Sequence, residues 1–72
     1  MNNVIRYPHV IFIDGLWRVE GSRVPVTNLY TSHMKGATFA TLFRVYKDLG
    51  PSKILSAVAF CYDNISLIGE ER

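Results

Sequence analysis

The chain has 72 residues, eight Lys or Arg against six Asp or Glu, and a hydrophobic fraction of 49%. A domain this short buries only about 60% of the surface its unfolded chain exposes, and Cys61, the single cysteine, cannot form an internal disulfide. The near-balanced charge lacks the strongly basic character of a dedicated nucleic-acid binder, and the aromatic content excludes a disordered tail. Oligomerisation is the remaining support, so a homodimer or higher oligomer is expected.

The apolar stretches Val10 to Ile13 and Ile54 to Tyr62 are well short of the ~20 residues that a spanning helix needs. No membrane segment is expected. The start, MNNVIRYPHV, has no cationic stretch followed by an apolar core and a cleavage site, so it does not read as a signal peptide. With its lone thiol, the chain is expected in the cytoplasm.

In chain order, the first element is a β-hairpin. Val10-Ile-Phe-Ile13 and Leu16-Trp-Arg-Val-Glu20 flank Asp14-Gly15, a pair that tolerates positive φ in a two-residue type I′ turn. That turn predicts strands over about 10–13 and 16–20, with Ile13 opposite Leu16, Phe12 opposite Trp17, Ile11 opposite Arg18 and Val10 opposite Val19. An isolated hairpin is barely stable in water, so its faces need cover from helices or a second subunit.

Gly21-Ser22 turns the chain, and Pro25 suits a strand edge or a helix entrance. Val26, Leu29, Tyr30, His33 and Met34 recur at i, i+3, i+4, i+7 and i+8, which predicts a helix over about 26–35, stopped by Gly36. Thr38 is placed as N-cap of a second helix over about 39–47, with Phe39, Leu42, Phe43 and Tyr46 on its apolar side. Pro51 fits the first turn of a third helix over about 52–64. Two helices joined by a short Gly-containing turn match the helix-turn-helix pattern.

The expected fold is therefore mostly α, with a β-hairpin arm over 1–25, a three-helix core over 26–64 and a frayed tail over 65–72, all in one domain. The third helix is apolar on nearly every side, more than three helices alone can bury, which again calls for a partner.

Several segments together resemble a known family. Tyr7-Pro8-His9-Val10, Asp14-Gly15, Gly21-Ser22-Arg23-Val24-Pro25-Val26, Gly36, Tyr46 and the apolar third helix resemble the bacterial and archaeal family catalogued as domain of unknown function 433, across roughly Ile5 to Tyr62. The Gly-Ser-Arg-Val-Pro-Val segment is the most specific part. Asp14 stands where the family has a glycine, Trp17 where a proline is common, Ser22 for Thr and Lys47 for Pro. The resemblance implies a homeodomain-like helical core and a VapB-type antitoxin. Such a protein binds a PIN-like ribonuclease toxin as a homodimer, with operator DNA as a further ligand. The alternative is a structural or adaptor domain of the same fold that binds no DNA.

If DNA is bound, the third helix enters the major groove, nominating Ser52, Lys53 and Ser56 for base edges and Arg44 and Lys47 for phosphates. The competing account makes them ordinary solvated residues, since that face has no Arg, Asn or Gln. Val10, Phe12, Trp17 and Phe60 are the candidate protein interface. Gly21, Ser22 and Arg23 form a structural motif in which Arg23 is expected to tie the hairpin to the core through backbone carbonyls, the alternative being a carboxylate or phosphate bound by its planar fork. His9, His33, Asp14, Asp48 and Cys61 show no H-x-x-H or C-x-x-C spacing, and His33 and Cys61 fall on predicted apolar faces. No metal, cofactor or catalytic residue is expected, and the chain is not read as an enzyme.

Overall fold

The computed structural model describes residues 7–69. Their order is β1 (Val10–Ile13), β2 (Leu16–Val19), α1 (Val26–Met34), α2 (Phe39–Val45), α3 (Pro51–Asp63) and α4 (Ile65–Gly69). The architecture is a two-stranded antiparallel hairpin set against four helices.

Turn chemistry sets the hairpin. Asp14 at φ 55° and Gly15 at φ 81° are the two left-handed residues of a type I′ loop, and the register they impose is Val10↔Val19, Ile11↔Arg18, Phe12↔Trp17 and Ile13↔Leu16, as expected. A second turn precedes β1. Val10 N–H donates to Tyr7 C=O at 3.2 Å, with Pro8 and His9 (φ 72°) as the central residues, the pattern of a type II turn.

After β2 the chain doubles back through Gly21-Ser22. The Ser22 hydroxyl donates to Val19 C=O at 3.0 Å and accepts from Val24 N–H at 3.1 Å, and Val19 N–H donates to Val24 C=O at 2.9 Å. These bonds lay Val24-Pro25 along the outer edge of β2, where Arg18 and Pro25 form an isolated bridge. Pro25, already extended at φ −67° and ψ 142°, then leads into α1.

Helix α1 ends in a Schellman pattern. Gly36 N–H donates to His33 C=O and Ala37 N–H to Ser32 C=O, both at 3.0 Å, around a left-handed Gly36 at φ 111°. Thr38 caps α2 by accepting from Thr41 N–H at 3.1 Å. α2 stops at Val45, two residues short of expectation, because Tyr46 turns to φ −109° and ψ 45°. Gly50 at φ 89° and Pro51 at the first position open α3.

Val19, Val26, Leu29, Leu42, Ile54, Ala57, Val58, Phe60, Cys61 and Ile68 form one buried cluster. Burying a side chain such as Ile54 completely is worth about 1.5–3 kcal/mol. Two expectations need correction here. The tail over 65–72 was expected to fray; residues 70–72 lie outside the described residues, but Ile65–Gly69 is a helical turn that seats Ile68 in the core. Its start is secured by Asn64, whose C=O accepts from Leu67 and Ile68 N–H and whose side chain donates to Phe60 C=O at 2.9 Å. α3 was expected to need another chain on most sides, yet the hairpin and α4 cover much of what α1 and α2 leave open. Leu55 and Tyr62 stay exposed on α3.

Candidate interaction surface

The five residues nominated for DNA do not share one condition. Arg44, Lys47 and Ser52 are exposed, whereas Ser56 and Lys53 are half-buried. Lys53 points back to the hairpin, where its ammonium donates to Glu20 C=O at 3.1 Å. Its approach is so close that a Cβ at Gly21 would lie 3.3 Å from Lys53 Nζ. In this arrangement Lys53 is a clamp between α3 and the end of β2.

The residues nominated for a protein interface also divide. Phe60 is only 5% exposed, because Trp17 from β2 (ring centroids 4.8 Å) and Tyr7 (5.4 Å, edge-on) cover it from within the same chain. It is a core residue, and the interface role expected for it is corrected on that ground. Val10 and Trp17 are half-buried against the same cluster. Phe12 alone projects, 57% exposed, with its ring 4.8 Å from that of Trp17.

In the Gly21-Ser22-Arg23 motif, Gly21 (φ 79°) and Ser22 order the turn as expected, but Arg23 does not supply the tie. Arg18 does. Its Nη1 donates to Arg23 C=O at 2.8 Å and its Nε reaches Ile13 C=O at 3.4 Å. Arg18 lies in mid-strand beside the turn carbonyls, while the Arg23 side chain is exposed.

A surface that sequence reasoning did not nominate lies across α1, α3, α4 and the start of α2. Tyr30 meets Tyr62 edge-on at 5.4 Å, Tyr62 meets His33 at 5.9 Å, and His33 stacks on Phe39 at 4.8 Å while its Nδ1 lies 3.2 Å from Ala37 C=O. Beside this array a groove of about 340 Å³ opens between α1 and α4, lined by Thr27, Tyr30, Thr31, Met34, Lys35, Ile65 and Ile68. Met34, Tyr62 and Ile65 on and beside its rim are each nearly half exposed. Ile65 and Ile68, three apart just after Asn64, were the available signal, hidden by reading residues 65–72 as tail. A second groove of about 360 Å³ lies between the hairpin and α3–α4, lined by Tyr7, Trp17, Phe60, Asp63, Asn64 and Leu67.

At one rim of that second groove, Tyr7 O–H donates to the Asp63 carboxylate. The bond holds the proton on the phenol and raises its pKa above the ordinary 10.0, with partial desolvation and the carboxylate charge acting in the same direction. His9 Nδ1 lies 3.3 Å from Glu20 Oε1, an ion pair when the imidazole is protonated. Among the described residues no three His, Cys, Asp or Glu side chains gather as a metal-binding set, and no helix is long and apolar enough to cross a membrane. Comparison of the chain with protein-family models, with characterised proteins and with solved structures returns no match.

Proposed function

We propose that this chain is a protein-interaction module that works by being covered by another protein. The observation that carries this reading is the α1–α4 groove, bordered by exposed Met34, Tyr62 and Ile65. Contiguous apolar surface around a concavity is where protein partners seat their anchor residues, and it is costly to leave in water. Lys35 is the charged group on the groove wall, so the fitting anchor is an apolar side chain with an acidic neighbour.

The specific form of the proposal is an antitoxin with a homeodomain-like core, acting on a PIN-like ribonuclease. The Gly21-to-Val26 resemblance supports it, as does the short turn from Tyr46 to Gly50 between α2 and α3. Operator binding has weaker support, because Lys53 is held by Glu20, and of the nominated residues only Arg44 and Lys47 for phosphates and Ser52 for base edges stay exposed. The adaptor reading, with the same surface and no DNA, is favoured by that same engagement of Lys53.

Co-expression with the product of the adjacent reading frame tests the proposal. The antitoxin form predicts a stable complex in which ribonuclease activity is silenced, weakened by Met34→Glu. A complex without ribonuclease activity supports the adaptor, and the absence of any complex contradicts the antitoxin form.

A further inference from the structure

The two edges of the hairpin are treated differently. The outer edge of β2 is closed by Val24-Pro25 through the Val19–Val24 bond and the Arg18–Pro25 bridge. β1 has, among the described residues, no strand on its other side. Exposed edges are normally protected by Lys, Pro or a bulge, and Val10-Ile-Phe-Ile13 contains none of these.

The register tells which main-chain groups this edge presents. Glu20 N–H donates to His9 C=O at 2.7 Å across the hairpin, so His9 faces β2, and by two-residue alternation Ile11 and Ile13 face it too. The C=O of Val10, the N–H and C=O of Phe12 and the N–H of Asp14 therefore point outward. The Val10 N–H is already engaged with Tyr7 C=O.

We propose that β1 pairs antiparallel with β1 of a second copy of this chain, about a twofold axis at Phe12, forming a four-stranded sheet. This rests on the reading of the chain as a module built to be covered, and it names one of the covering surfaces. In this register the two Phe12 residues exchange N–H···O=C bonds, and each Asp14 N–H donates to Val10 C=O of the other copy. Every outward group is used. Sliding the pairing by two residues sets Phe12 C=O against the Val10 amide that Tyr7 already holds.

The side chains agree with the same axis. Phe12 meets its symmetry mate, so the ring series Phe60, Trp17, Phe12 continues into the other copy. On the opposite sheet face, Ile11 lies across from Ile13 of the other copy, and both are exposed, at 36% and 46%. A fully covered aromatic side chain buries about 150–250 Å², so Phe12 contributes on the order of 100 Å² and each copy roughly 400 Å² in all. The total stays below the ~1,200 Å² at which stable specific interfaces begin, so the dimer is weak, reversible and concentration-dependent.

Sedimentation equilibrium of the full 72-residue chain, with single-cysteine substitutions under mild oxidation, tests this. The mean mass is expected to rise from one chain toward two as the concentration is raised, as a small interface implies. Phe12→Cys should cross-link to itself, because a directly opposite hydrogen-bonded pair has Cα atoms ~5.5 Å apart, within disulfide reach. Ile11→Cys and Ile13→Cys alone should cross-link at least tenfold more slowly, since two residues of offset put their own mates more than about 7 Å apart. A mixture of those two variants should give the mixed dimer, which keeps the test open if Phe12→Cys fails to fold. Wild-type protein, with Cys61 buried, is the control.

A mass that stays at one chain throughout, or cross-linking indifferent to position, overturns the proposal. If the chain stays monomeric and β1 amides become protected only in a complex with the adjacent-frame protein, the edge belongs to that partner. The self-pairing then fails while the interaction-module reading stands.

Discussion

Lys53 and Glu20, 33 residues apart, meet where the first turn of α3 touches the end of β2, the ammonium donating to the main-chain carbonyl at 3.1 Å. Together with the Tyr7–Asp63 bond and the Trp17–Phe60 contact, it joins the hairpin to the helical core, and it engages one of the residues nominated for DNA base edges. Hydrogen bonds from charged donors contribute about 1.5–3 kcal/mol, toward the low end where, as here, water reaches the pair. Lys53→Met is expected to destabilise the chain by about 1 kcal/mol, read as a lower urea midpoint with unchanged slope. If Lys53 is instead a DNA base contact, Lys53→Met leaves the urea midpoint in place and reduces affinity for promoter DNA.

Phe60 separates core from interface. Removing it empties a space enclosed by Tyr7, Trp17 and the α3 core, so Phe60→Ala should cost about 3–5 kcal/mol. For a domain whose total stability is about 5–15 kcal/mol, that lowers the melting temperature steeply. Under conditions where the variant still folds, its mass at a given concentration should match wild type. A stable variant with altered mass would place Phe60 at an interface after all.

Tyr7 supplies a pH dependence whose sign is fixed by its bond to Asp63. Because folding raises the phenol pKa above 10.0, the contribution is fully present below pH 10 and is lost as pH climbs through the folded-state value. Urea midpoints should therefore hold steady toward pH 10 and fall beyond it, and Tyr7→Phe should flatten that fall. An identical alkaline profile in the variant would remove Tyr7 from the account.

Gly21 sits at φ 79° with Lys53 Nζ close to where a Cβ would stand. An L-residue in the left-handed region costs about 1–2 kcal/mol, while the flexible ammonium can move aside. Gly21→Ala is expected to destabilise by that amount, checked by thermal melting. Gly21→Ala combined with Lys53→Met should cost less than the sum of the two single changes if the close approach matters.

The parts of this fold readable from sequence are those governed by a few neighbouring residues. Asp14-Gly15 specifies its own turn, the turn specifies four strand pairs, and Thr38, Gly36 and Pro51 mark helix ends by chemistry confined to one turn. What escaped depends on residues distant in sequence. Phe60 looks like surplus apolar surface until the hairpin folds over it, and Lys53 looks solvated until Glu20 arrives. Arg23 contributes its carbonyl rather than its side chain, because that turn carbonyl faces Arg18 of the neighbouring strand. Ile68 enters the core only through the Asn64 turn, and its apolar neighbours Ile65 and Leu67 were passed over because the segment was read as a tail. The groove beside Met34, Tyr62 and Ile65 followed the same course, since one wall is the missed helix.

Amide chemical shifts of the isotope-labelled chain, titrated first with the adjacent-frame protein and then with a promoter duplex, test the central claim most directly. The account predicts that the protein perturbs amides around Tyr30, Met34, Tyr62 and Ile65, while the duplex leaves them unchanged. Perturbation of those amides by the duplex, or none there from the protein, would contradict it.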